Sequence, residues 1–190
     1  MDKIKIEVSA RHCHLCGEDL AILFGEGYEF TKYKDLSQPG QFAAEEKITI
    51  KTDGGQLEGL RILGPVRDKT QVELSMTDAR KLKINAPLRL SGDLAGSASA
   101  VIAGPQGEVK LKEGVIIAKR HIHCDPKSAA KLGLSDEQDI SVKTTGERSV
   151  IFHNVSVRIS DKYSLVMHID TDEGNASSPD GICSKGEIIK

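Results

Sequence analysis

Two short stretches hold the residues best suited to chemistry. Arg11-His12-Cys13-His14 and Arg120-His121-Ile122-His123 each place two imidazoles one residue apart. Apolar residues precede both: Ile4, Ile6 and Val8 alternate before the first, and Val115, Ile116 and Ile117 run before the second. Each pair therefore reads as part of a β-strand. Side chains on a strand alternate between faces, so His12 and His14 project together, as do His121 and His123. Two imidazoles side by side on a rigid strand make a metal chelate. Zinc takes nitrogen ligands at about 2.0–2.1 Å and usually wants four ligands, so three from the protein leave one position open for substrate. One His-x-His pair reads equally well as a chance surface feature. Two pairs, each preceded by arginine and together holding four of the six histidines, do not.

Third ligands belong at matching points of the two copies. His168 sits among apolar residues in Leu165-Val166-Met167-His168-Ile169, and its rough counterpart is Glu73 in Val72-Glu73-Leu74-Ser75. A carboxylate inside an apolar strand needs a partner, and a metal is one. On pattern alone, each also reads as an ordinary strand residue. His153 has no counterpart and reads as structural or exposed. Cys13-His14-Leu15-Cys16 has the Cys-x-x-Cys spacing of redox and zinc motifs. Cys13, however, lies between the histidines and so faces away from them. Cys16 falls where the second copy has Asp125, a helix-capping place. Arg67, in Gly64-Pro65-Val66-Arg67, is the candidate anion binder, because its planar fork of donors suits phosphate oxygens.

The elements around these residues repeat. Leu20, Leu23, Phe24 and Gly25 after the first pair, and Ala129, Ala130, Leu132 and Gly133 after the second, each read as one short helix. In the second copy Asp125 is the N-cap, Pro126 the first helical residue and Gly133 the stop. A strand follows each helix, at 48–52 and 140–144, and ends in a glycine turn at Gly54-Gly55 or Gly146. Residues 72–78 parallel 166–172. The first copy carries an extra loop at about 25–44, and 91–107, rich in Gly, Ala and Ser, reads as the connection between halves. The expected fold is mainly β: two similar small β-barrel domains with a few short helices, over 1–95 and 96–190, with strands exchangeable between barrels. Residues 129–142 resemble the helix-then-strand passage of double-psi-type barrels.

With these motifs in view, the chain resembles the PduL-type phosphotransacylases, also called phosphate propanoyltransferases. The resemblance rests on Ser9-Ala-Arg-His-Cys-His-Leu15, Arg61-Ile-Leu-Gly-Pro-Val-Arg67 and Thr70-Gln-Val-Glu-Leu-Ser75 with Thr77-Asp-Ala79. It continues through Ala118-Lys-Arg-His-Ile-His123 and Met167-His-Ile-Asp170 with Asp172-Glu-Gly-Asn-Ala176. The resemblance implies two β-barrel domains with a two-zinc metal site at the domain interface. It implies one Zn2+ on His12, His14 and Glu73, a second on His121, His123 and His168, and phosphate on Arg67. It further implies that coenzyme A touches Val8, Ser9, Ala10, Arg61 and Asn175. Two residues depart from the family pattern, Cys16 in place of serine and Gly174 where alanine is common. Family members of bacterial microcompartments carry an N-terminal helical extension; here the motif strand starts almost at Met1, so shell targeting is not expected.

The implied reaction is a phosphate acyltransfer: short-chain acyl-CoA (acetyl-CoA or propanoyl-CoA) plus inorganic phosphate gives acyl phosphate plus CoA. The expected route is direct transfer, with the coenzyme A sulfur at the first metal and phosphate at the second. The alternative is a two-zinc thioester or other hydrolase using metal-bound hydroxide. The chain has 190 residues, 28% charged and 38% hydrophobic, an ordinary globular composition. A net charge of −2, no basic stripe and 4% aromatic residues argue against a nucleic-acid partner. No apolar run approaches the roughly 20 residues of a membrane span, and no signal segment is evident. A cytoplasmic location with reduced Cys13, Cys16, Cys124 and Cys183 is expected, and a homodimer is the default assembly.

Overall fold

The computed structural model describes residues 3–177 and 185–189. The first part of the chain forms β1 (Lys3–Val8), β2 (His12–His14), α1 (Gly17–Phe24), β3 (Lys32–Asp35), β4 (Phe42–Thr52), β5 (Gly55–Gly64), β6 (Gln71–Leu74), α2 (Met76–Lys81), β7 (Leu88–Arg89), β8 (Ala98–Ala103) and β9 (Glu108–Ala118). The rest forms β10 (His121–Cys124), α3 (Pro126–Leu132), β11 (Asp139–Thr144), β12 (Ile151–Ile159), β13 (Val166–Ile169), α4 (Thr171–Ser177) and β14 (Lys185–Ile189). No described helix is long and apolar enough to cross a membrane.

Pairing closes these strands into two rings. In one, β1, β13, β10, β12, β11 and β14 follow one another around a closed barrel. In the other, β4 pairs with β5, β5 with β2, β2 with β6, β6 with β9, β9 with β8, and β8 with β4 again. Strands β3 and β7 add to its β4 and β9. The two rings have the same wiring. Each His-x-His strand lies between a parallel neighbour, β5 or β12, and an antiparallel one, β6 or β13. The antiparallel neighbour then pairs in parallel with β9 in one ring and β1 in the other.

The compact units do not follow the contiguous division 1–95 and 96–190. One takes Met1–Ala10, Ser37–Pro39 and Lys119–Lys190, and the other Arg11–Leu36 and Gly40–Ala118. Strand β1 leads into the first His-x-His strand but belongs to the ring of the second, and β9 does the reverse. The side chains explain this. Ile4 and Ile6 are 1% and 2% exposed and pack with Ile122, Val155 and Met167. Val115 and Ile117 pack with Cys13, Leu60 and Val72. A parallel partner cannot arrive through a tight hairpin, so each ring recruits a strand from far along the chain. The stretch 91–107, read as a connection, instead contains the ring strand β8. The extra loop contains β3 and the start of β4. Its Gln38 is buried and exchanges two hydrogen bonds with the backbone of Ser164, both 3.1 Å.

Local signals act as their chemistry dictates. Asp125 Oδ1 accepts from Ser128 N–H at 2.9 Å, Pro126 opens α3, and Gly133 closes it in the left-handed region at φ 63°. Cys16, at the N-cap position before α1, makes no side-chain cap. Cys13 faces into one apolar core and Cys124 into the other, both fully buried. Burial pushes both thiols up, that of Cys124 to about 11. Cys13, Cys16 and Cys124 are free thiols; Cys183 lies outside the described residues.

Two outcomes follow from this packing. Ile6→Ala should cost about 2–5 kcal/mol of unfolding free energy in urea titration, as for other buried Ile→Ala changes; a loss under about 1 kcal/mol would contradict the placement of β1. In native alkylation followed by peptide mass spectrometry, Cys16 should react well ahead of Cys13 and Cys124, and comparable rates for the three would contradict it.

Candidate metal centre

Strand β2 is covered on both faces. His12 and His14 are 6% and 3% exposed on one face, and Cys13 fills the other. Their rings meet edge to face with centroids 5.0 Å apart. In the antiparallel register of β2 and β6, His12 stands opposite Glu73 and His14 opposite Gln71. His12 Nε2 and Glu73 Oε2 lie 3.5 Å apart. Two ligand atoms on one tetrahedral zinc would be separated by about 3.3 Å at the usual bond lengths. Ligand atoms of His12, His14 and Glu73 all lie within 4.8 Å of one another, and this is the group of three that converges so closely among the described residues.

The surroundings orient these donors. A carbonyl oxygen only accepts, so His14 Nδ1–H donates to Leu63 O at 3.1 Å, and the Nε2 lone pair is left for a ligand. Burial, and then the neighbouring His12 and Arg67, push the His14 imidazole well below its ordinary range, so it is neutral as a ligand must be. Gln71 is 1% exposed and uses its whole amide. Its Nε2 donates to Glu73 Oε1 at 2.5 Å and to Ser91 Oγ at 2.8 Å, while its Oε1 accepts from Gly92 N–H at 2.8 Å. Arg67 Nη1 donates to the same Ser91 Oγ at 3.2 Å, and Arg67 N–H donates to Leu15 O at 2.9 Å. Arg67, Ser91, Gln71 and Glu73 thus form one chain of contacts. Gln71 and Ser91 did not stand out in the sequence. Gln71 carried a faint signal, since it lies two residues before Glu73 and therefore on the same face of β6.

The second barrel repeats the arrangement with its own residues. His121 stands opposite His168 in the antiparallel register of β10 and β13. This shifts the equivalence by one residue from the parallel of 72–78 with 166–172: Glu73 corresponds to His168, so Val72 matches Met167. Ring centroids are 4.5 Å apart for His121 and His123, 5.3 Å for His121 and His168, and 5.1 Å for His123 and His168. His121 Nδ1–H donates to Lys119 O at 2.9 Å, again leaving Nε2 for a ligand. Tyr163 lies against His123, with centroids 4.2 Å apart. Glu7 stands beside His168 in the β1–β13 register.

The donors suit zinc. His12, His14 and Glu73 offer two nitrogens and a carboxylate close enough together to hold a metal ion, and three protein ligands are the number that leaves a position open. Other predicted site residues lie apart from these sets in their bonding. Arg61 pairs with His12 in register, but its guanidinium donates to Ala44 O at 2.7 Å and lies over the Tyr33 ring at 4.8 Å. Val8 ends β1, Ser9 N–H donates to Ile169 O at 2.7 Å, and Ala10 is exposed. Asn175 is exposed on α4.

Comparison with known proteins identifies the chain's family. The sequence model of the phosphate propanoyltransferase family matches residues 5–180. A phosphate propanoyltransferase of Clostridioides difficile (strain 630) is 46% identical over 187 residues, covering 98% of this chain and 88% of the relative. One of Thermotoga maritima is 50% identical over 175 residues, 92% of this chain and 83% of the relative. One of Lachnoclostridium phytofermentans is 50% identical over the same length, 92% and 82%. Matched along nearly its whole length, the chain belongs to the phosphate propanoyltransferase family and is a phosphate acyltransferase.

Proposed function

We propose that the protein interconverts a short-chain acyl-CoA, acetyl-CoA or propanoyl-CoA, and inorganic phosphate with acyl phosphate and CoA. Transfer is direct, with one Zn2+ on His12, His14 and Glu73 and another on His121, His123 and His168. The observation that carries this is the repetition of one ligand register, His12 opposite Glu73 and His121 opposite His168, in a chain of this family.

When bound, zinc supplies Lewis acidity and favours the deprotonated form of a thiol. The protein's residues divide the work by charge. Three neutral imidazoles cancel none of a divalent ion's charge, which suits phosphate at His121, His123 and His168. Glu73 cancels one charge, which suits the singly charged sulfur of CoA at His12, His14 and Glu73. Arg67 adds a planar fork for phosphate oxygens. Its register beside the first trio is fixed through Ser91 and Gln71. The backbone of Val8, Ser9 and Ala10, with Arg61 and Asn175, is the proposed contact surface for coenzyme A. Holding both reactants in line would remove on the order of 7–11 kcal/mol of barrier at the ideal limit. No acyl-enzyme is required, and the burial of Cys13 and Cys124 is consistent with that.

The test is free-thiol release from acetyl-CoA and propanoyl-CoA, with and without phosphate, on zinc-loaded protein and on His121→Ala. Release should require phosphate and collapse in the variant. Release that ignores phosphate would instead indicate the hydrolase. Arg67→Ala should lower kcat/KM for phosphate by about 10–100-fold, the loss expected for hydrogen bonds to a charged group; an unchanged value would remove Arg67 from the phosphate site. Stopped-flow mixing with acyl-CoA alone should show no burst of thiol, since a burst would reveal a covalent intermediate.

A further inference from the structure

The arginine before each His-x-His pair has a carboxylate partner in both barrels. Arg11 Nη1 donates to Asp78 Oδ1 at 3.0 Å, and Arg120 Nη1 donates to Glu173 Oε1 at 2.6 Å. The acids occupy equivalent places. Two residues after Glu73 comes Ser75, the N-cap of α2, whose Oγ accepts from Asp78 N–H at 3.2 Å. Two residues after His168 comes Asp170, whose Oδ1 accepts from Glu173 N–H at 2.8 Å. Glu173 Oε2 reciprocates by accepting from Asp170 N–H at 3.0 Å, completing a capping box. In each copy the sequence therefore reads third ligand, cap two residues on, and acid three residues beyond the cap. The acid then reaches back to the residue preceding the first histidine ligand.

We propose that Arg11–Asp78 and Arg120–Glu173 are positioning struts, each locking a His-x-His strand to the turn that follows its third ligand and thereby governing how firmly that set of ligands retains its metal. The proposal rests on reading the two trios as metal centres. A strut of this kind works through geometry. Strand β2 has only three residues and β10 only four, so few ladder hydrogen bonds hold them. A rigid link just outside the ligands limits how far the two donor strands can slide or splay. Its absence would leave the fold largely intact while widening the spread of ligand separations. The two struts differ in shielding. Arg120 and Glu173 are 27% and 21% exposed, and the Arg120 guanidinium also lies over the Phe152 ring at 5.3 Å. In the first strut Arg11 is 43% exposed and Asp78 10%, so its cation is the more solvent-screened of the two arginines while its acid is the more buried of the two acids.

The experiment loads the full chain with two equivalents of zinc and follows its transfer to an excess of chromogenic chelator. His14→Ala and His168→Ala assign the kinetic phases to the two sets. Arg120→Ala and Glu173→Ala should each speed release from the His121, His123 and His168 set by several-fold, less than the roughly tenfold or more of losing a direct hydrogen-bond partner of a ligand. Release from the other set should be unchanged. The Arg120→Ala/Glu173→Ala double variant should release no faster than the worse single, and Arg120→Lys should recover part of the retention. Arg11→Ala and Asp78→Asn should act in the same way on the His12, His14 and Glu73 set. Circular dichroism checks folding, and Glu173→Gln, which keeps the side-chain shape, replaces Glu173→Ala if that variant does not fold. Folded variants that release both ions at the wild-type rate, or both equally faster, would overturn the struts while leaving the metal centres standing. A wild-type chain that takes up no zinc would overturn the metal centres and the struts together.

Discussion

The structure depends on one antiparallel register, set twice. Opposite residues of an antiparallel pair share a face and sit close together. Placing His12 against Glu73 therefore brings a carboxylate beside an imidazole, with His14 two residues along on the same face. Placing His121 against His168 does the same with a third histidine. A slip of one residue on either strand would turn every donor to the opposite face and send Cys13 or Ile122 out of its core. Burial of Cys13 and Ile122 on the inner face thus holds the ligands on the other.

Holding these donors has a cost. His12, His14 and Glu73 are all under 10% exposed, and a buried carboxylate without partners is strongly disfavoured. Gln71 offsets part of this by donating to Glu73 while its remaining groups are taken by Ser91 and Gly92. His14 is held neutral and pinned through Nδ1 to Leu63. The arrangement is already paid for in hydrogen bonds on the side away from the ligand atoms, which is how a site can be shaped before a metal arrives. The internal repeat shows that these supports are not identical in both copies. The second trio is ordered by Lys119 O and the Tyr163 ring, while its charge differs from the first by one carboxylate.

Much of this was legible from residue types and spacing. Alternation on a strand has a period of two, so the grouping of His12 with His14 and of His121 with His123 needed no structure. Helix α3 was equally plain, because Asp125, Pro126 and Gly133 each act within a few residues of themselves. What could not be read depends on contacts distant in sequence. Strands exchangeable between barrels were expected, but that β1 and β9 are the ones follows from which core Ile4, Ile6, Val115 and Ile117 enter, and apolar pattern does not name a destination. The pairing of Glu73 with His168 was legible, but the parallel of 72–78 with 166–172 was offset by one, because similarity aligned Val72 with Val166 whereas the ladder aligns Val72 with Met167. Ser91 lies in a Gly- and Ser-rich stretch that reads as a linker, and only its bonds to Arg67 and Gln71 reveal its place. The arginines before the histidines were visible as a repeat, but their partners Asp78 and Glu173 were not.

The central claim is that each barrel carries a metal centre on its own three ligands. Diffraction from zinc-loaded crystals, recorded above and below the zinc absorption edge, tests it most directly. The account predicts two anomalous peaks per chain, one among His12, His14 and Glu73 and one among His121, His123 and His168. Peaks elsewhere, or none at either trio, would contradict it.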